Sequence, residues 1–242
     1  MTARPMATAA RAPTVETMKP VAIVTGASRG LGHALAVGLA EAGWQLVVDA
    51  RDAAALSSAW AGHDAVAVAG DIRDPVHRAA LVTAATSLGG VALLVNNAGI
   101  LGPRPALGAY PLAALREVYE VNVFAPLELT QLVLPSLRAR GGAVVTVTSD
   151  AAVEGYEGWG GYGSAKAAAE QASNVLAAEE PAVRVWRVDP GDLRTRMHQE
   201  AFPGEDISDR PLPETVVPAF VHLVTARPAS GRVRLADLSV PS

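Results

Sequence analysis

The sequence alternates short apolar runs with longer segments of helical length, and this alternation constrains the fold more than any other feature. The runs are almost continuously apolar and rich in β-branched residues, which is typical of parallel strands buried on both faces of a sheet. We therefore predict an α/β fold, a single doubly wound parallel sheet with helices on both faces. The predicted strands are VAIVT (21–25), QLVVD (45–49), AVAVA (65–69), VALLV (91–95), AVVTVT (143–148), VRVWRV (183–188) and a short RVRL (232–235).

The first 18 residues differ in composition from the rest of the chain. They are rich in Ala, Thr, Pro and Arg and lack apolar periodicity, so we predict a mobile extension over residues 1–18 and one domain over residues 19–242. A transit peptide is the alternative, although Pro5 and Pro13 disfavour its helix. No apolar stretch reaches the ~18 residues of a membrane helix and no secretory signal is visible, which predicts a cytoplasmic location.

Composition excludes several function classes. The formal net charge of −4 disfavours a nucleic-acid or anionic-membrane partner, because both require a basic surface. The chain has no cysteine, which excludes disulfides, thiol nucleophiles and thiolate metal sites. The five histidines show neither metal-ligand spacing nor partners, so we expect them on the surface or on helix faces and predict no metal site. They are His33, His63, His77, His198 and His222.

A glycine-rich turn, TGASRGLG (25–32), follows the first predicted strand and leads into a helix. Glycines permit a tight turn and close backbone approach, and a helix N-terminus offers free N–H groups to a pyrophosphate. The turn therefore indicates a dinucleotide site, with an ordinary strand-to-helix turn as the alternative. The candidate cofactor residues of this turn are Gly26, Ser28, Arg29, Gly30, Leu31 and Gly32.

The end of the second strand bears on which dinucleotide binds. NAD sites place a carboxylate there for the ribose 2′-hydroxyl, whereas NADP sites place arginine near the 2′-phosphate. Arg51 and Arg29 favour NADP(H) over NAD(H), and Asp49 is the competing signal, one position earlier than a ribose ligand would stand. The alternative is that Arg51 and Asp52 only begin a solvated helix.

Further motifs follow the later strands in a fixed order, and together they resemble the short-chain dehydrogenase/reductase family over nearly the whole chain after Pro20. The resemblance implies a single-domain Rossmann-like fold and an oxidoreductase that moves a hydride between a nicotinamide cofactor and a carbonyl compound or secondary alcohol. The motifs are TGASRGLG, Asp71-Ile72, Asn96-Asn97-Ala98-Gly99, Asn122 in YEVNVFAP, Ser149, Tyr162-Gly163-Ser164-Ala165-Lys166, and Asp189-Pro190-Gly191 followed by Leu193 and Thr195.

The resemblance also implies residue roles. The implied catalytic residues are Asn122, Ser149, Tyr162 and Lys166, with Asn122 holding a water that links Lys166 to solvent. Beyond the glycine turn and Arg51, the implied cofactor contacts are Asp71 and Ile72 at the adenine, then Asn97, Ala98, Gly99, Tyr162, Lys166, Pro190, Gly191, Leu193 and Thr195.

The residues themselves support part of this chemistry. Tyr162 and Lys166 are four apart and share a helix face, where an ammonium should lower the pKa of the phenol towards neutrality. Ser149 is placed to hydrogen-bond a substrate oxygen. Taken singly, each residue has a plainer interpretation: a surface pair, a turn former at Ser149, and a buried amide bonded to backbone at Asn122.

The substrate side is less defined by sequence. Tyr156 and Trp159 stand among glycines in EGYEGWGG (154–161) and predict a flexible aromatic wall. The resemblance implies a substrate lid over residues 193–213, which contain Met197. The candidate substrate contacts are Ser149, Tyr156, Trp159, Tyr162 and Met197.

Several acids depart from the family pattern near the expected mouth of the site. They either cap turns and face solvent, or favour a polar or cationic substrate. The acids are Asp150, Glu154, Asp189 and Asp192.

The expected partner is a small carbonyl or alcohol substrate, and the resemblance implies a homo-oligomer, a dimer or tetramer. The chain ends in RVRLADLSVPS, unlike the Val-Asp-Gly-Gly-like tail of the family's tetramers, so pairing through the helix that carries Lys166 is the expected contact. The alternative function is a non-catalytic NAD(P)-binding protein, a redox sensor or a scaffold.

Overall fold

The computed structural model describes residues 19–240, so the predicted extension over residues 1–18 lies outside the described part. Seven strands coincide with the seven predicted runs to within a residue at most ends. They are β1 (Val21–Val24), β2 (Gln45–Ala50), β3 (Ala65–Ala69), β4 (Val91–Asn96), β5 (Ala143–Val147), β6 (Arg184–Asp189) and β7 (Gly231–Arg234). The helices are α1 (Gly30–Glu41), α2 (Ala53–Ala59), α3 (Pro75–Ser87), α4 (Leu112–Tyr119), α5 (Ala125–Arg140), α6 (Gly160–Glu179), α7 (Arg196–Ala201) and α8 (Val217–Ala226).

The strands form one parallel sheet in the order β3-β2-β1-β4-β5-β6-β7, which confirms the predicted fold class. Helices cover both faces. Leu35 of α1 and Phe220 of α8 are fully buried on one face, and Leu81 of α3 and Leu129 of α5 are fully buried on the other. This two-sided burial explains why the central strands are continuously apolar.

Strand β3 is less buried than the central strands. It is the edge strand beside β2, and Val66 is 38% exposed. The apolar pattern, which is typical of strands buried on both faces, was misleading for this run, because an edge strand has a neighbour on one side only and the nearby α2 has only seven residues. The small side chains of AVAVA suit such an edge as well as they suit a core.

The strand order reverses at β1, which pairs with β2 on one side and with β4 on the other. Ligands of open α/β sheets bind at the carboxyl ends of the strands where the order reverses. The glycine turn follows β1 at this place, and the segments after β4, β5 and β6 end at the same edge of the sheet.

Candidate active site

The glycine turn after β1 forms a cradle that only glycines allow. Gly26 has φ +68°, and a Cβ placed on it would lie 3.0 Å from Cα of Ala98. A Cβ placed on Gly32 would collide with Nδ2 of Asn97 and the carbonyl oxygen of Gly26. No side chain caps the start of α1, so the N–H groups of its first turn stay available to an anion. The cradle fits a pyrophosphate.

Thr25 ties this turn to the segment after β4. Its Oγ1 accepts hydrogen bonds from the backbone N–H groups of Asn97 and Ala98, both at 3.0 Å, and Nδ2 of Asn97 donates to the Thr25 carbonyl at 2.8 Å. These bonds place Asn97, Ala98 and the glycine turn side by side. The sequence motifs contained all these residues, but no spacing rule predicted the contacts.

Asp49 does not stand in the groove as a ribose ligand. It is buried, its Oδ1 accepts from the N–H of Gly26 at 2.7 Å, and its Oδ2 lies 3.0 Å from Nε2 of His77. His77 lies on helix α3, in agreement with the helix-face alternative, but the expectation that it has no partner was wrong. His77 on α3 is enclosed between β2 and Gly70, where a Cβ would collide with its ring.

Two arginines stand beside the glycine turn at the end of β2. Arg29 and Asp52 form a long, half-exposed ion pair, with Nη2 and Oδ2 3.9 Å apart, and Asp52 also caps α2 by accepting from the N–H of Ala55 at 3.0 Å. Arg51 is exposed, and within residues 19–240 no carboxylate lies within 4 Å of its guanidinium. This end of the groove is positively charged.

Asp71 follows β3 as expected, but its carboxylate already has a partner. Nη2 of Arg73 donates to Oδ2 at 2.7 Å, and Nε of Arg73 reaches both carboxylate oxygens at 3.1 Å. The Arg73 hydrogen bonds hold the pKa of Asp71 below its ordinary value. Ile72 is buried next to it. Sequence reasoning did not identify Arg73.

Tyr162 and Lys166 are both buried on α6. Nζ of Lys166 donates to the carbonyl oxygen of Val147 at 2.8 Å and lies 5.5 Å from the centre of the Tyr162 ring. Burial lowers the pKa of Lys166 to about 8, against the opposing charge of Glu170.

The pKa of Tyr162 is shifted in the direction opposite to the predicted one. Burial raises it, and the charges of Asp150 and Asp189 add to the rise. The desolvation of the phenolate outweighs any help from Lys166, whose ammonium is directed at the Val147 carbonyl. Near neutral pH Tyr162 is therefore a neutral phenol.

Ser149 lies two residues after the end of β5, and its side chain is hydrogen-bonded to the neighbouring Asp150. Its Oγ donates to Oδ1 of Asp150 at 2.8 Å, and Oδ2 of Asp150 accepts from the Tyr156 hydroxyl at 2.9 Å. Burial alone would raise the pKa of Asp150, but hydrogen bonds from Ser149, Tyr156 and the Ala151 N–H hold it below its ordinary value. Asp150 is therefore an ionised, well-partnered group.

Asn122 lies in a π-helical turn, Glu120–Phe124, between α4 and α5. Its Oδ1 accepts from the N–H of Ile100 and its Nδ2 donates to the carbonyl of Ile100, both at 2.9 Å. The plainer interpretation, a buried amide bonded to backbone, describes these contacts. A Cβ placed on Gly99 would lie 3.1 Å from Oδ1 of Asn122 and 3.7 Å from Nζ of Lys166, so Gly99 keeps the space between them open.

A family model described as short chain dehydrogenase matches residues 20–206, more than half of the chain. The chain belongs to the short-chain dehydrogenase family. It is an oxidoreductase of the kind that acts on CH–OH and C=O groups.

Three similar proteins illustrate the family. The 7alpha-hydroxysteroid dehydrogenase of Escherichia coli K12 is 38% identical over 183 residues, which cover 72% of this chain and 71% of the relative. A solved 7 alpha-hydroxysteroid dehydrogenase, complexed with NADH and 7-oxo glycochenodeoxycholic acid, has a TM-score of 0.81 and 30% identity over 90% of this chain and 93% of that one. An alcohol dehydrogenase from the archaeon Thermococcus sibiricus, complexed with 5-hydroxy-NADP, has a TM-score of 0.81 and 26% identity over 93% and 99%.

In this short-chain dehydrogenase, aromatic rings gather beside Tyr162. The Trp159 ring lies edge-on to Tyr162 with centroids 5.9 Å apart, and its centroid lies 6.4 Å from that of Tyr156 and 6.0 Å from that of Phe202. Met197 packs in the same cluster. The residues of the predicted wall therefore form an aromatic cluster, which Phe202 of the predicted lid joins.

The predicted lid contains a short helix, α7, at its start. Thr195 caps it by accepting from the N–H of His198 at 3.1 Å, and a Cβ placed on Gly30 would lie 3.6 Å from Cγ2 of Thr195. Leu193 is buried, and Gly191 has φ +75°, which permits the sharp turn after Pro190. The beginning of the lid thus stands over the glycine turn of the dehydrogenase.

An ion network behind the site was not predicted. Arg232 of β7 donates through Nε to Glu170 at 3.0 Å and through Nη2 to Oδ2 of Asp189 at 3.0 Å and to the carbonyl of Ser149 at 3.1 Å. Oδ1 of Asp189 accepts from the N–H of Gly191. The Asp189 carboxylate is therefore paired within the fold. The Asp192 side chain, by contrast, is 66% exposed and lies near His198.

Among residues 19–240, no cluster of three or more His, Asp or Glu side chains is arranged to hold a metal ion. Over the same residues, none of the helices combines the length and the hydrophobicity needed to cross a bilayer.

Proposed function

We propose that this dehydrogenase uses NADP(H) and interconverts a carbonyl compound and a secondary alcohol, with Tyr162 as the general acid in reduction. The observation that carries the proposal is the buried pair of Tyr162 and Lys166 on α6, at the sheet edge that holds the glycine cradle. A buried neutral phenol is suited to donating a proton. When bound, the nicotinamide supplies or accepts the hydride.

The residues of the chain would act on the proton and the substrate oxygen. In reduction, Oη of Tyr162 donates its proton to the carbonyl oxygen, and the nearby Lys166 ammonium, charged below a pKa of about 8, favours the phenolate that remains. Ser149 can donate to the same oxygen when its hydroxyl turns away from Asp150. We retain the implied roles of Lys166 at the ribose and of Asn122 in holding a water as proposals.

Two observations support NADP(H) as the cofactor. Arg29 and Arg51 place two guanidiniums beside the glycine turn, where a 2′-phosphate would lie. Asp49, the competing ribose ligand, is occupied by Gly26 and His77. The two solved relatives hold different cofactors, NADH and 5-hydroxy-NADP, so the preference rests on these residues of the chain.

Replacing Arg51 by alanine should weaken NADPH binding between about tenfold and a hundredfold, because a hydrogen-bonded charge contributes about 1.5–3 kcal/mol. NADH binding should change little. The measurement is the dissociation constant of each cofactor by fluorescence titration. Arg116→Ala, an exposed charge on α4, is the matched control. If Arg51→Ala weakened the binding of both cofactors equally, Arg51 would not contact the 2′-phosphate.

The function itself is tested by titrating the protein with both reduced cofactors and then following NADPH absorbance with a panel of ketones, aldehydes and alcohols. Consumption of NADPH that requires Tyr162 supports the proposal. Tight NADPH binding without turnover across the panel would instead favour the non-catalytic sensor or scaffold.

Replacing Asp150 by asparagine should shift the pH dependence of alcohol oxidation. Oxidation needs the Tyr162 phenolate, and the Asp150 charge raises the pKa of that phenol. Asparagine keeps an acceptor for Ser149 but removes the charge, so the rise of kcat/KM with pH should move towards lower pH. Asp192→Asn, an exposed charge, is the control. An unchanged profile, or a shift to higher pH, would contradict this role.

We further propose that the protein is cytoplasmic and forms a homo-oligomer. The support for the oligomer alone is the exposure of apolar side chains along α5 and the turn before it, Phe124 at 49% and Leu132 at 47%, together with Val175 on α6 at 44%. A monomer in analytical ultracentrifugation would overturn it.

A further inference from the structure

Arg104 lies in the segment between β4 and α4 and has an unusual environment. Its guanidinium carbon lies 4.7 Å from the centre of the Trp159 ring and 5.5 Å from the centre of the Phe202 ring. Two aromatic faces thus hold one cation in a defined position. No sequence motif pointed to this residue.

Arg104 lies where three segments around the expected substrate site meet. Arg104 comes from the segment after β4, Trp159 from the turn before α6, and Phe202 from the lid. The backbone of Gly158 is close to it as well, since a Cβ there would lie 3.0 Å from the Arg104 carbonyl oxygen. Because Trp159 also contacts Tyr162, a single ring separates the guanidinium from the reacting phenol.

The charge of Arg104 is not compensated by the protein. Across residues 19–240 no carboxylate lies within 4 Å of its guanidinium, and its Nε–H is enclosed without an acceptor. The acids of the same region differ: Asp150 is bonded to Ser149 and Tyr156, and Asp189 is bonded to Arg232. Arg104 is therefore a partly buried positive charge without a carboxylate partner at the mouth of the expected substrate site.

We propose that Arg104 binds a carboxylate carried by the carbonyl substrate, so that the preferred substrates are oxo acids rather than neutral ketones. The inference rests on the proposed function. A guanidinium presents a planar pair of N–H donors that matches a carboxylate, and stacking on aromatic rings holds it ready for that partner.

The charge balance favours a carboxylate over a phosphate. Arg104 supplies one positive charge, and Glu154 and Asp192 stand close enough to Tyr156 to raise its pKa further, after the larger effect of Asp150. A second negative charge on the substrate would therefore face repulsion. The proposal agrees with the polar substrate of the sequence-based hypothesis and differs from its cationic one.

The test compares pairs of substrates with one carbon skeleton: an oxo acid, its methyl ester and the corresponding oxo phosphonate. We expect kcat/KM for the acid to exceed that for the ester at least about tenfold, as one charge-assisted hydrogen bond can supply. Arg104→Gln should raise KM for the acid about tenfold and leave both constants of the ester unchanged. Arg104→Lys should restore part of the preference, and Arg116→Gln should leave it intact.

The outcomes separate this inference from the function on which it rests. Equal use of ester and acid by the wild-type enzyme, equal losses on both substrates in Arg104→Gln, or preference for the phosphonate would each overturn the carboxylate site. If no carbonyl compound is reduced although NADPH binds, the proposed function fails. In that case the carboxylate site is tested by calorimetric titration of the NADPH complex. Hexanoate should bind more tightly than hexanamide, and Arg104→Gln should abolish the difference.

Discussion

Replacing Tyr162 by phenylalanine should lower kcat for carbonyl reduction about a thousandfold, within the range that a positioned general acid contributes. The ring stays, so its contact with Trp159 and its burial in the aromatic cluster should persist. Only the proton donor is lost. Single-turnover oxidation of bound NADPH measures this step without interference from product release.

The control for this variant is Tyr119→Phe at the end of α4, a tyrosine whose ring lies 6.4 Å from that of Phe124. It should keep full activity. Affinity for NADPH should be similar in both variants and the wild type. A Tyr162→Phe enzyme that retains more than about a tenth of the wild-type rate would remove Tyr162 from the proposed proton transfer.

Replacing Arg232 by methionine should lower the free energy of unfolding by about 3 kcal/mol, since removing one partner of a buried ion network leaves the others uncompensated. The Asp189 side chain is 5% exposed and that of Glu170 is 12% exposed, so water can restore little. For a chain of this length the thermal midpoint should fall by about 10 °C. Calorimetry or denaturant titration measures the change.

Arg234→Met is the matched control on the same strand. The Arg234 side chain is 59% exposed and its Nε lies 4.0 Å from Asp189, so its loss should change stability by less than about 0.5 kcal/mol. Equal effects of the two substitutions would show that Arg232 does not brace the network. Arg232 also donates to the Ser149 carbonyl, so kcat should fall in Arg232→Met as the Ser149 segment loosens.

The fold was predictable because its signal is local. Continuous apolar runs mark buried strands, and the glycine turn marks the start of α1 whatever the rest of the chain does. The apolar pattern of β3 was misleading, since AVAVA has the same pattern in a core strand and in an edge strand, and only the strand order distinguishes them. The hydrophobic pattern of a segment shows which of its residues could be buried, but it does not show which helices or strands cover them.

The candidate site was predictable where a motif fixes the chemistry and unpredictable where distant residues meet. Tyr162 and Lys166 are neighbours on one helix, whereas the contacts of Asp49 with His77 and of Asp189 with Arg232 join residues 28 and 43 positions apart. The pKa of Tyr162 is the clearest case. Its direction depends on burial, which a spacing of four residues does not contain.

The burial of Lys166 has a consequence for the whole molecule. A group whose pKa falls from 10.5 in the unfolded chain to about 8 in the fold costs stability, about 3 kcal/mol at any pH below 8. Because the unfolded chain keeps its proton up to pH 10.5, that cost declines as the pH rises from 8 to 10.5. Domains of this size are stable by only about 5–15 kcal/mol. At neutral pH the Lys166 charge, which the proposed mechanism uses, thus lowers the stability of the fold.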